Sequence, residues 1–103
     1  MYRPLPDNVT VGQSNIEGLG LFAIRDITEG TTLGATHIVV NIQNDRSLIH
    51  RTPLGGFGNH SDEPNCNKVE SNMYWHKCWN IVTNRDIKKG EEITWKYTLY
   101  SVN

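Results

Sequence analysis

Cysteine is scarce. Cys66 and Cys78 are the only two in 103 residues, which excludes a disulfide scaffold and, with no CxxC pair, a zinc ribbon. No apolar run approaches the roughly 20 residues of a membrane helix, and the opening Met1-Tyr2-Arg3-Pro4-Leu5-Pro6 holds no segment of signal-peptide length. A soluble, intracellular protein with no membrane partner is expected. An excess of one charge is missing too: Lys and Arg number 10 against 11 Asp and Glu, a net charge of -1. That balance is too even for a phosphate-binding field, so nucleic acid is not an expected partner. Hydrophobic residues make up 37%, below the usual share, so the expected core is small, and the length fits one domain over residues 1–103.

Helical periodicity is also absent. Nine glycines punctuate the chain, with short β-branched or aromatic runs between them, a pattern of mainly β structure. Strands are predicted at Val9 to Val11, Leu19 to Ile24, Thr31 to Thr36, Ile38 to Ile42, Tyr74 to Val82 and Glu92 to Tyr97. Asp45 to His50, following Asn44, is predicted as one helical turn that needs tertiary support. The four histidines, His37, His50, His60 and His76, are too scattered to predict a metal site.

What is present is an internal echo. Arg25-Asp26-Ile27-Thr28-Glu29-Gly30 recurs as Arg85-Asp86-Ile87-Lys88-Lys89-Gly90, with an aliphatic residue three positions later in each copy, Leu33 and Ile93. Each isoleucine is expected to turn inward and each glycine to supply the positive φ of a tight reversal. Two copies are too few for a solenoid, so pseudo-symmetric pairing within one β domain is predicted.

Three further segments carry chemistry-bearing residues. Gly55 to Cys66 holds three glycines and then Asn59-His60-Ser61-Asp62-Glu63-Pro64-Asn65, a long loop whose side chains could equally read the edge of a heteroaromatic ring. Gly18-Leu19-Gly20 enters a predicted strand, whereas a dinucleotide fingerprint opens a helix. Ile93-Thr94-Trp95-Lys96-Tyr97 alternates as an ordinary core strand, with Ile93, Trp95 and Tyr97 on one face.

The order of these segments, G-L-G-L-F-A, R-D-I-x-x-G, N-H-S-D-E-P-N-C and R-D-I-K-K-G-E-E-I-T-W-K-Y, resembles the SET-domain protein lysine methyltransferases over Glu17 to Gly34 and Gly55 to Tyr97. Within that family it is most similar to the compact single-domain versions of viruses and some microbes. The resemblance implies a mainly β, β-clip fold of short twisted sheets with little helix. Its C-terminal segment would be pseudo-knotted beneath the chain carrying Asn59 to Cys66, with no pre-SET or post-SET segment. It implies S-adenosyl-L-methionine as cofactor, held by Gly18, Leu19, Gly20, Asn59, His60 and Tyr100. Tyr97 would be the catalytic residue, and Tyr97, Tyr100 and Trp95 would contact the substrate. The implied reaction is methyl transfer to a lysine amine of a histone-like tail or another protein. For a viral protein the implied location is the host cytoplasm or nucleus.

Two features depart from the family pattern. No cysteine cluster follows Tyr97, and the stretch between Gly34 and Gly55, which builds one groove wall in the family, is short. A homodimer that supplies the missing wall is therefore expected. Two alternatives stay open: a SAF-like β-clip binding module, and a degenerate SET fold that binds cofactor or protein without turnover. Asp62, Glu63, Glu70, Glu91 and Glu92 read as a solvated face.

Overall fold

The structure is a computed structural model that describes residues 5–42, 46–73 and 76–97. Its elements run β1 (Val9–Gln13), β2 (Leu19–Ala23), β3 (Thr32–Ile42), β4 (Arg46–Arg51), α1 (Pro53–Phe57), β5 (Asn59–His60), β6 (Cys66–Met73), β7 (His76–Thr83) and β8 (Glu92–Trp95). They form two four-stranded sheets, ordered β1-β2-β8-β5 and β4-β3-β7-β6. The expectation of a mainly β fold with small sheets and little helix holds.

Local differences have physical causes. The helical turn predicted at Asp45 to His50 is, over its described residues 46–50, part of strand β4, paired antiparallel with β3 from Ile42↔Arg46 to His37↔Arg51. A six-residue stretch gains more from a strand ladder than from a single unsupported turn. The two strands predicted on either side of His37 are one strand, β3, with register shifts at Thr32/Gly34 and Ala35/His37. A bulge lets a strand bend without ending. Strand β6, which has no counterpart in the sequence reading, pairs with β7 along its whole length, from Cys66↔Thr83 to Met73↔His76. Its run Asn67-Lys68-Val69-Glu70 hides the signal, because beyond Cys66 no described residue of this edge strand is buried.

The glycine-rich stretch begins with a helix rather than a loop. Thr52 caps α1, its Oγ1 accepting the Gly55 N–H at 3.1 Å, and Pro53 occupies the first turn. A threonine followed by proline is a helix-start signal. The same hydroxyl donates to the Ala35 carbonyl at 2.6 Å, which ties the helix to β3.

The echo closes into a clasp. Ile27 and Ile87 exchange both backbone hydrogen bonds at 2.8 Å. Asp86 Oδ1 accepts the Glu29 N–H at 2.8 Å, and Asp26 Oδ1 accepts the Lys89 N–H at 2.9 Å, so each copy caps the turn of the other. Gly30 donates to the Thr83 carbonyl and Gly90 to the Ala23 carbonyl, at φ of 84° and 92°. Those values lie in the region that side chains strain to reach. Ala23 ends β2 and Thr83 ends β7, so the clasp joins one sheet to the other. The predicted pseudo-symmetric pairing is what the structure shows. Its isoleucines are buried in a core that also holds Val9, Leu21, Leu33, Leu54, Ile81, Ile93 and Trp95.

Candidate functional site

Strand β8 lies inside its sheet, antiparallel to β2 through Leu21↔Ile93 and parallel to β5 through Asn59↔Thr94 and His60↔Trp95. That pairing brings the first glycine hairpin, the N-H-S segment and the aromatic end together. Asn65 locks it from the other side: its Oδ1 accepts the Thr94 N–H at 3.0 Å, and its Nδ2 donates to the Glu92 carbonyl at 2.8 Å. Asn65 thus satisfies buried backbone of the strand beside it. Ser61 Oγ accepts the Glu63 N–H at 3.1 Å and steadies the loop between them.

Asn59 sits at the centre of a polar knot. Its Nδ2 reaches the Glu92 carboxylate at 2.9 Å, Ser14 Oγ at 3.0 Å, the Glu17 carbonyl at 3.1 Å and the Leu19 carbonyl at 3.3 Å. Ser14 Oγ also donates to Glu92, at 2.8 and 2.9 Å to its two oxygens, and accepts the Ile16 N–H at 2.8 Å. The β1–β2 hairpin tip is therefore tied to β5 and β8 through one amide. At Gly20 the close approach is to the Glu92 carboxylate, which a β-carbon there would overlap. Among the described residues no group donates to Asn59 Oδ1. Ser14 and Glu92 have no place in the sequence reading of the site, since the pairing of β2 with β8 alone brings them together.

His60 and Tyr97 form the second half. The Tyr97 N–H donates to His60 Nδ1 at 2.8 Å, and His60 Nε2 lies 3.0 Å from Asp62 Oδ1. Those partners define a tautomer with its proton on Nε2, given to Asp62. The two rings meet edge-on, with centroids 5.3 Å apart. His60 thus holds the backbone of Tyr97. The Tyr97 hydroxyl donates to the Gly58 carbonyl. Burial raises its pKa, Arg51 opposes that rise and Glu17 adds to it, so the phenol keeps its proton near neutral pH.

Trp95 is fully buried and tilted against Tyr97 at 6.4 Å. A β-carbon on Gly58 would overlap its indole. Glycine at 58 and tryptophan at 95 are therefore one packing decision, and Trp95 forms the floor beneath Tyr97. Tyr100 lies outside the described residues.

Beside Tyr97 opens a cleft of about 100 Å³, lined by His37, Arg51, Gly55, Gly56, Lys68, Trp95 and Tyr97. Burial, then Lys68 and Arg51, push the His37 pKa down to about 4, so its imidazole is neutral. Its Nδ1 lies 2.9 Å from Thr36 Oγ1. Burial and then Arg51 lower the Lys68 pKa. Cys66 and Cys78 are buried free thiols, and burial pushes Cys66 up to about 12, which keeps it protonated. Among the described residues no three metal-ligating side chains converge, and no helix is long and apolar enough to cross a membrane.

The family model of the SET domain matches residues 40–98, a span that takes in the N-H-S segment, β8 and Tyr97. The chain belongs to the SET-domain family. The SET fold extends beyond that match. A Plasmodium falciparum protein described as a candidate histone methyltransferase superimposes with a TM-score of 0.71 at 21% identity, covering 87% of this chain and 92% of that one. A Chaetomium thermophilum Polycomb Repressive Complex 2 mutant, bound to an inhibitor, gives 0.72 at 21% identity over 89% of this chain and 15% of the other. In sequence the chain is 28% identical over 116 aligned positions to the histone-lysine N-methyltransferase ASHH2 of Arabidopsis thaliana. The alignment covers 87% of this SET chain and spans only 7% of that relative's length.

Proposed function

We propose that the protein transfers a methyl group from S-adenosyl-L-methionine to a lysine side chain of a protein substrate. The observation that carries the reading is the meeting at Gly58 of two unlike half-sites. Asn59 and the Gly18–Gly20 hairpin follow on one side, and Tyr97 with its cleft lies on the other.

The acceptor knot fits the cationic end of the cofactor. The Glu17 and Leu19 carbonyls, the Glu92 carboxylate and the unoccupied Asn59 Oδ1 are all acceptors, the chemistry that an ammonium or a sulfonium calls for. Gly18, Leu19 and Gly20 would hold it by backbone, Asn59 by its amide oxygen, and Tyr100 is carried with them from the resemblance. His60 contributes by fixing the segment and by holding Tyr97. When bound, the cofactor supplies an electrophilic methyl on a sulfonium.

The chain's own residues then position an amine. A lysine must be neutral to attack, and its usual pKa of about 10.4 opposes this. Arg51 and Lys68 disfavour a second ammonium in the cleft, so they help it shed its proton to water. Tyr97, as a protonated phenol with a raised pKa, orients the amine rather than serving as a phenolate base. Trp95 closes the floor and keeps water from that face. Alignment is the main contribution in such a displacement.

The test is calorimetric titration with S-adenosyl-L-methionine alongside transfer of labelled methyl to lysine-containing proteins. Tyr97→Phe is expected to retain cofactor affinity and to lose about 100-fold in transfer, the scale of one oriented hydrogen-bonding group. Unchanged transfer removes Tyr97 from the role, and absence of cofactor binding by the wild type returns the reading to a β-clip binding module.

A further inference from the structure

The cleft beside Tyr97 carries two cations and no described anion. Arg51 ends β4, opposite His37 in the ladder, and Lys68 rises from β6. Ion pairs among the described residues form elsewhere, between His60 and Asp62, Lys77 and Glu70, and Arg85 and Glu91. Neither Arg51 nor Lys68 takes part in one. The backbone donors of α1 at the cleft are committed. The Gly55 and Gly56 N–H groups already donate to Thr52. Trp95 Nε1 is buried with no acceptor among the described residues. Glu17 acts on the Tyr97 phenol but does not line the cleft.

Arg51 is exposed and Lys68 half-buried beside the half-exposed Tyr97 ring, so water solvates both cations until an anion arrives with the ligand and takes its place. A lysine approaching alone as an ammonium is repelled by the same pair. An acidic neighbour on the same peptide reverses that balance, because a guanidinium and an ammonium together can take both oxygens of one oxyanion.

We propose that Arg51 and Lys68 form a subsite for an anionic side chain, a carboxylate or a phosphate, placed next to the acceptor lysine. The protein then selects lysines in acidic stretches over those in basic tails. This rests on the methyl-transfer reading above and names its substrate class.

The test uses the whole chain and fluorescein-labelled peptides carrying one lysine flanked by glutamate, phosphoserine, alanine or arginine, read by anisotropy. Glutamate-flanked peptide is expected to bind about tenfold tighter than arginine-flanked peptide, the scale of one charge-assisted contact. Added salt narrows the gap. Arg51→Gln with Lys68→Gln abolishes the preference, Arg51→Glu with Lys68→Glu inverts it, and Lys88→Glu, a remote charge, leaves it intact. Circular dichroism on each variant checks the fold. Comparing the glutamate and phosphoserine peptides tells carboxylate from phosphate.

Equal affinity for the four peptides overturns the proposal. So does a preference that survives in the double glutamine variant. A loss of S-adenosyl-L-methionine affinity in that variant also overturns it, since the cations would then serve the cofactor's carboxylate. The two readings fail separately. Cofactor binding and transfer without acidic preference sinks the subsite alone. Acidic preference that persists in a peptide with alanine replacing the lysine, from a protein that binds no cofactor, sinks the methyl-transfer reading alone.

Discussion

A single amide and a single imidazole organise the site at the residue scale. Asn59→Ala removes the link between the hairpin tip and β8, and it is expected to weaken S-adenosyl-L-methionine binding at least tenfold, loss of a charge-assisted bond being about 1.5–3 kcal/mol. Equal affinity by calorimetry removes Asn59 from the cofactor's site. Asp62→Asn and His60→Ala act through Tyr97, since the Asp62–His60 contact fixes the nitrogen that receives the Tyr97 N–H. Both should lower kcat more than they raise the cofactor's Kd, and His60→Asn should recover part of the loss by offering a new acceptor. Gly58→Ala forces a methyl into the Trp95 indole and is expected to cost about 1–3 kcal/mol in urea unfolding, with Trp95→Phe relieving part of it. His37 sets a pH dependence. Its folded pKa is about 4, below the ordinary 6.5, so the unfolded chain binds the extra proton between those values. Its contribution is complete above about pH 6.5 and is lost as pH falls towards 4. His37→Gln should flatten the stability profile over that window. Asn59, His60 and Tyr97 stand out in the sequence because their motifs are contiguous. Ser14, Arg51 and Lys68 do not, because each reaches the site only through the register of a strand pair.

At the scale of elements, the duplicated turn is the feature most legible in the chain. Its spacing alone predicts a paired hairpin, and the structure adds the reciprocal caps at Asp26 and Asp86. Because the copies make matching bonds, Asp26→Ala and Asp86→Ala should each destabilise by about 1 kcal/mol, as a lost backbone cap does, and to a similar extent in urea titration. Loss from one copy only would show that the pairing is symmetric in form and not in energy. Strands β4 and β6 are not legible in the sequence. Beyond Cys66 no described residue of β6 is buried, so no apolar alternation marks that strand, and over β4 local helix preference is weaker than six ladder pairs. Helix α1 has its signal in Thr52-Pro53, which the glycines that follow mask.

For the whole molecule, the thin core noted in the composition is a shared one, filled from both sheets and joined by the clasp. Unfolding should therefore be a single cooperative transition seen alike by tryptophan fluorescence and circular dichroism; separate midpoints would mean that the sheets melt independently. The homodimer expected from the short Gly34–Gly55 stretch is checked by light scattering with peptide present, where an active strict monomer would leave the groove complete within one chain. The position of β8 has one more consequence. The strand that delivers Trp95 and Tyr97 is interior to its sheet, flanked by β2 and β5. Premature termination before Glu92 would strip two inner edges bare, leaving unpaired backbone ready to capture other chains. A translation product without the tyrosine is thus expected to be an aggregating or degraded species rather than a folded chain, so that loss of this strand and loss of the protein coincide.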